Sequence, residues 1–290
     1  MLTDSFVTHQ VQRDLQWVIN ASPIMNPTQC DTDVQLCSLP TLLHLPGDTL
    51  GTPGTLTADF AHRRLGLYYE NLVNLLLISS PNLLDIKRNI QVSENKRTLG
   101  EYDILCRTMQ GENLHIECAV KFYLCTGDGS ELSHFEGPNR RDRLDIKWNK
   151  LINKQLQLST THAGRACADT LGLQPARKLL LLQGYLFYPF ESWYGDGLPT
   201  ATLHPLLHTD HNRGWWIRQP DVDAVLTDSF RYQMLNKPFW LHSPDLPTLP
   251  YDTLRSELKT INRPQLIARF TRDGDRWHEH DRGFVVPAHW

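Results

Sequence analysis

Apolar and polar residues alternate with period two along two neighbouring stretches of the chain. From Leu114 to Leu124, residues Leu114, Ile116, Cys118, Val120, Phe122 and Leu124 fall on one side, and His115, Glu117, Ala119, Lys121 and Tyr123 on the other. This pattern predicts a strand with one face in a core. From Tyr102 to Met109 the alternation returns, with Tyr102, Ile104 and Cys106 against Asp103, Leu105 and Arg107. Gln110-Gly111-Glu112-Asn113 between the two predicts a hairpin turn. A loop of Gln110 to Glu112 pairs Met109 with Asn113 and sets Asp103 opposite Ala119, between Glu117 and Lys121 on one face. A register slip of one residue would send Asp103 to the other face.

Helical periodicity accounts for other stretches. His62 to Ser79 predicts a helix, apolar on most sides from Leu65 onward, with Glu70 in its middle. Neighbours of Glu70 at helical spacing are Leu67, Asn74 and Leu77, so its carboxylate needs a partner or a metal. Gln10 to Asn20 predicts a short amphipathic helix. Asp142 to Leu158 predicts another, with Leu144, Trp148, Leu151, Gln155 and Leu158 on its inward stripe. Arg143, Lys147, Lys150 and Lys154 form a separate stripe about 60° wide at ~100° per residue. The apolar run from Lys178 to Phe187 suits a central strand.

The Pro-, Thr- and Gly-rich stretch from Ser22 to Gly54 reads as a long loop, and after Tyr188-Pro189-Phe190 the chain turns rich in Trp, Pro and His. The organisation expected is an N-terminal helix and loop extension over 1–58, a core over 59–190 and a mixed C-terminal extension over 191–290. The fold class expected is α/β, a mixed central sheet of four or five strands flanked by helices.

Composition narrows the function classes. With 290 residues and 40% hydrophobic content the chain can bury a sizeable core. A net charge of −3 does not by itself mark a nucleic-acid partner. Met1-Leu2-Thr3-Asp4 opens no signal-like segment, and no apolar stretch approaches the ~20 residues of a membrane span, so a cytoplasmic protein with no membrane partner is expected. Cys30, Cys37, Cys106, Cys118, Cys125 and Cys167 contain no C-x-x-C pair and read as reduced, packed thiols. Neither a Walker-type loop nor G-x-G-x-x-G is present, so no nucleotide cofactor is expected, and no G-x-S-x-G elbow occurs. Pro205 interrupts His204, His208 and His211, which argues against a zinc site. Trp215, Trp216, Trp240 and Trp290 read as packing aromatics.

Two carboxylates on one face of the hairpin, a third on a buried helix and a nearby lysine suit a hard divalent cation, Mg²⁺ or Mn²⁺. The row Arg143, Lys147, Lys150 and Lys154, with Arg140 and Arg141 before it, suits a phosphate backbone. A solvated Glu117–Lys121 pair, a structural ion pair at Glu70 and a solvated basic helix face would produce the same patterns.

The order of these features (the helix with Glu70, then Gly100-Glu101-Tyr102-Asp103, then Glu117-Cys118-Ala119-Val120-Lys121) resembles the PD-(D/E)XK nuclease superfamily. Over most of its length the chain resembles more closely a bacterial family catalogued as domain of unknown function 1853. Three runs carry that likeness: Glu117 to Leu124, Gly137-Pro138-Asn139-Arg140 with Asp142-Arg143-Leu144, and Arg282-Gly283-Phe284-Val285-Val286-Pro287. The resemblance implies a restriction-endonuclease-like core and a Mg²⁺- or Mn²⁺-dependent nuclease acting on nucleic acid; DNA is expected ahead of RNA, a choice the residues themselves leave open. It makes Asp103 the central metal ligand, Glu117 the second ligand, Glu70 the helix acid, Lys121 the catalytic lysine and Gln155 a supporting polar residue. Two departures stand out. The lysine lies four residues after Glu117, where the superfamily wants it at the position of Ala119, and Tyr102 stands where the pattern has proline. The displaced lysine motivates an alternative, a catalytically inactive nuclease-fold protein that binds nucleic acid or a protein partner.

Overall fold

The computed structural model describes residues 4–26, 33–37, 39–43, 64–194 and 203–290. Its strands are β1 (Val34–Leu36), β2 (Leu83–Glu94), β3 (Arg97–Thr108), β4 (Asn113–Cys125), β5 (Phe135–Glu136), β6 (Arg177–Pro189), β7 (Arg213–Arg218), β8 (Arg231–Leu235), β9 (Gln265–Asp273) and β10 (Arg276–Val286). All join one mixed sheet of ten strands, ordered β2-β3-β4-β6-β7-β10-β9-β8, with β1 beside β6 and β5 beside β4. The sheet is larger than the four or five strands expected. The reason lies in the segment after Phe190: β7 pairs in parallel with the end of β6, from Leu186↔Arg213 to Pro189↔Trp216, and carries β10, β9 and β8 into the same sheet. The Trp-rich β7 has no clean period-two alternation to announce it.

Strands β2, β3 and β4 form an antiparallel meander, and β4 pairs in parallel with β6 over Leu114↔Arg177 to Leu124↔Phe187. The centre of the sheet is covered on both sides. Helices α1 (Asp4–Asn20), α2 (Leu39–Leu43) and α3 (Leu65–Ile78) pack on one face. Leu72, Val73 and Leu76 of α3 are buried there with Ile104, Cys106, Ile116, Cys118 and Val120. Each such side chain contributes roughly 1.5–3 kcal/mol. On the other face, α4 (Leu144–Lys150) runs into a π turn (Leu151–Gln155), and α5 (His162–Thr170) follows. Leu144, Leu151, Ile152 and Leu156 pack there on Ala119, Tyr123, Leu180 and Leu182. The short helices α6 (Phe190–Tyr194) and α7 (Val222–Val225) and the longer α8 (Tyr251–Leu258) accompany the C-terminal strands, where Leu254 and Leu258 bury against Trp215, Tyr232 and Ile267.

Several boundaries differ from expectation. The first helix begins at Asp4, six residues before Gln10. The helix expected over 142–158 is split, because Leu156 N–H donates to Leu151 O at 3.0 Å, an i→i+5 bond that widens the turn. Within the expected loop, Ile24 N–H donates to Leu182 O at 2.9 Å and β1 pairs with β6. The same stretch also holds α2, while residues 27–32, 38 and 44–63, Cys30 among them, lie outside the described residues. Among the described residues, Cys106, Cys118, Cys125 and Cys167 are free thiols. Among the described residues no helix is long and apolar enough to cross a membrane.

Candidate active site

The site begins with the β3–β4 hairpin. Its ladder pairs Ile104↔Ile116, Leu105↔His115, Cys106↔Leu114 and Arg107↔Asn113. Thr108 N–H then donates to Glu112 O at 2.8 Å, so the loop is Met109-Gln110-Gly111, with Gly111 last at φ +85°. Glycine takes the left-handed final position of a three-residue loop without steric cost, which moves the loop one residue earlier than expected. Met109 therefore does not pair with Asn113. The pairing slips by two residues, an even number, so Asp103 keeps its face while its counterpart becomes Glu117 instead of Ala119.

Just beyond Ile104↔Ile116 the main-chain ladder stops, and two carboxylates take over its hydrogen bonds. Asp103 N–H donates to Glu117 Oε1 at 3.4 Å, and Cys118 N–H donates to Asp103 Oδ2 at 3.1 Å. Buried N–H groups must find an acceptor, and here the side chains of the facing strands supply it. Strand β3 continues to pair with β2 as far as Glu94↔Arg97. The acids thus sit where the sheet parts between β3 and β4.

Glu117 is fully buried and held on both oxygens. His115 Nε2 lies 2.9 Å from Oε1, and Gln155 Nε2 donates to Oε2 at 2.7 Å. Burial drives the His115 pKa down to about 3, so its imidazole is neutral and Nε2 is the donor. His115 Nδ1 and the Tyr102 hydroxyl are buried without a hydrogen-bond partner among the described residues, their rings edge to face at 4.7 Å.

Electrostatics bind the three acids together. Burial, then the charge of Asp103, pushes the Glu70 carboxyl up to about 7. Burial, then the charge of Glu117, pushes Asp103 up to about 7. Burial pushes Glu117 up to about 7, against the hydrogen bonds from Asp103, the charge of Lys147 and the Gln155 amide. The ammonium acting on all three is that of Lys147. Lys147 Nζ reaches Gln155 Oε1 at 3.4 Å, and its own pKa is lowered by burial and then by the charges of Lys121 and Lys150.

Lys121 is directed elsewhere. Its Nζ donates to the Asp142 carboxylate, in a pair whose side chains are 27% and 39% exposed. The basic row is divided as well. Arg143 pairs with Asp145 at 2.6 Å, while Arg140 pairs with Glu136 at 2.9 Å and lies 4.6 Å over the Trp290 ring. Arg141, Lys150 and Lys154 are exposed, with no ion pair among the described residues.

The structure thus brings together Asp103, Glu117, Gln155 and Lys147, with Lys121 tied to Asp142; Glu70, on α3, is linked to them by the charge of Asp103 and by no hydrogen bond or ion pair among the described residues. His115 escaped the sequence reading, although it shares a face with Glu117 two residues on. Lys147 was legible only as one member of a basic stripe. An all-carboxylate donor set suits a hard cation, and such an ion would favour the ionised form of acids that burial holds toward the protonated one. As they stand the oxygens are engaged by protein donors, and no three His, Cys, Asp or Glu side chains close on one point among the described residues. Sizeable cavities lie away from the acids: one of about 920 Å³ by Arg13, His242 and Trp277, another of about 410 Å³ by Cys37, Leu83 and Arg177.

Fold and site together define a mixed α/β protein with an acidic cluster buried where its central hairpin parts. The chain belongs to the family described as Domain of unknown function (DUF1853), whose model matches residues 13–286. No curated protein and no solved structure matches it.

Proposed function

We propose that the protein is a Mg²⁺- or Mn²⁺-dependent nuclease that hydrolyses phosphodiester bonds in nucleic acid, DNA rather than RNA. The observation that carries this reading is the Asp103–Glu117 contact, with Glu70 close enough to feel the charge of Asp103. The chain order of α3, the β2-β3-β4 meander, α4 and the parallel strand β6 supports a restriction-endonuclease-like core.

Asp103 and Glu117 would hold the ion, with Glu70 joining directly or through water. A bound Mg²⁺ or Mn²⁺ would supply a water of lowered pKa and offset charge on the phosphate. His115 and Gln155 orient Glu117, because each donates to a different oxygen of its carboxylate. The exposed cations Arg141, Lys150 and Lys154 would add affinity for the backbone without reading bases.

The test is an assay of labelled single- and double-stranded DNA and RNA with Mg²⁺ or Mn²⁺, wild type beside Asp103→Asn. Metal-dependent cutting by wild type and its loss, by about a hundredfold or more, in the variant is the expected result. One observation favours a second reading, a nuclease-fold protein that binds without cutting: the motif lysine is bonded to Asp142. Retention of nucleic acid with no cutting in either metal would select it.

A further inference from the structure

We infer that Lys147 is the cation that serves the acidic site, and that Lys121, to which the motif points, is a structural tie between β4 and the segment entering α4. This rests on the reading of the acidic cluster as a metal-dependent hydrolytic site.

The side chains on the sheet argue for the exchange. Ala119 occupies the position where the superfamily pattern has its lysine, and it is buried among Leu144, Leu151 and Ile152. A methyl group there lets α4 and its π turn lie close on the strand. The same helix delivers Lys147. From its Nζ a chain of polar contacts runs through Gln155 Oε1 at 3.4 Å and Gln155 Nε2 to Glu117 Oε2 at 2.7 Å.

The π turn makes that chain possible. In a regular α-helix eight residues turn the side-chain direction by ~800°, leaving position 155 about 80° past position 147. One residue absorbed by the wide turn brings the two within roughly 20°. Lys147 and Gln155 then share the face that looks at Glu117.

Lys121 is held in a different direction. Its Nζ bonds to Asp142, just ahead of α4, and its main chain is clamped by β6. Gly184 pairs with it at φ +143°, where a Cβ would lie 1.7 Å from Lys121 O. The role assigned to Lys147 is electrostatic. It forms no covalent bond, and its ammonium would offset the negative charge that accumulates on a phosphate held by the acids.

The test compares Lys147→Met, Lys147→Arg and Lys121→Met with wild type in two measurements on the full chain: cleavage of labelled DNA, and the Mn²⁺ concentration giving half the maximal thermal stabilisation. Lys147→Met should lower cleavage by about a hundredfold. It should also lower the Mn²⁺ midpoint by about threefold or more, since a cation beside the carboxylates competes with the metal. Lys147→Arg should recover part of the cleavage and restore the midpoint. Lys121→Met should stay within about threefold of wild type in both. Loss of cleavage in Lys121→Met with Lys147→Met still active, or a midpoint that moves with Lys121 and not with Lys147, would overturn the assignment. Wild type that is neither stabilised by Mn²⁺ nor able to cut would overturn the underlying site reading, and this inference with it. Stabilisation without cutting leaves the midpoints to decide.

Discussion

Asp103 and Glu117 exchange the hydrogen bonds that their strands no longer make to one another. The main-chain N–H of Asp103 donates to Glu117 Oε1 at 3.4 Å, and the Asp103 carboxylate accepts the N–H of Cys118, the residue after Glu117, at 3.1 Å. Two buried acids at the parting of a hairpin satisfy the backbone but repel each other. The protein tolerates that repulsion, as sites reserved for a cation commonly do.

Stability should therefore fall as pH rises toward neutrality. Asp103 titrates at about 7 in the folded chain against an ordinary value of 3.8, and Glu117 at about 7 against 4.5. Between those values the folded state keeps protons that the unfolded chain has lost. The loss of stability is thus absent below about pH 4, grows through pH 4–7 and is complete above 7, with a slope up to ~1.4 kcal/mol per pH unit for each group. Asp103→Asn should raise stability by about 1–2 kcal/mol at pH 8 and leave it unchanged near pH 4. Urea midpoints at the two pH values check this, and a variant less stable than wild type at pH 8 would refute it.

Addition of Mn²⁺ should oppose the same trend. A ligand that binds only the folded state raises the Tm by mass action, and protons compete for the same oxygens. The Tm increment from millimolar Mn²⁺ is expected to be larger at pH 8 than at pH 5 and absent in Asp103→Asn. Thermal scans across that range supply the measurement.

Gly184→Ala should be among the most damaging single changes in the core. The residue combines φ +143° with a strand pair so close that a Cβ would meet Lys121 O at 1.7 Å. Separating β4 from β6 to relieve the clash should cost more than ~3 kcal/mol. A urea midpoint within experimental error of wild type would contradict the packing described.

Two acid–base pairs, one buried and one partly exposed, should respond differently to loss of the acid. Arg269 and Asp281 are 3% and 7% exposed, and Arg269 is ringed by Phe230, Trp215 and Phe190 at 4.6, 5.0 and 5.7 Å. Asp281→Asn leaves a guanidinium buried among aromatics and should cost about 3–5 kcal/mol. Asp142→Asn releases the half-exposed Lys121 and should cost less than ~1 kcal/mol. Parallel denaturation curves of the two variants decide the point.

Much of this arrangement was legible in the residues. Period-two alternation in 102–109 and 114–124 placed Asp103 and Glu117 on one face, and the even slip of the hairpin left them there. The apolar surround of Glu70 marked it as a carboxylate needing company. Alternation tells which side a residue is on but not how deep that side lies. His115 and Glu117 read as a polar face, yet both are fully buried, because β6 flanks β4 and α4 with its π turn covers it.

The choice between lysines belonged to the tertiary structure entirely. A helical wheel assumes 3.6 residues per turn, and the π turn at Leu151–Gln155 breaks that count, swinging Gln155 under Lys147. The sheet's full width was equally a tertiary matter, since β10, which brings β9 and β8 with it, pairs with β7 far back in the chain. By itself the sequence determined the alternating faces and the kinds of side chain on them. Which of those faces would be covered, and which cation would come to rest against the acids, followed from packing between elements that local periodicity does not encode.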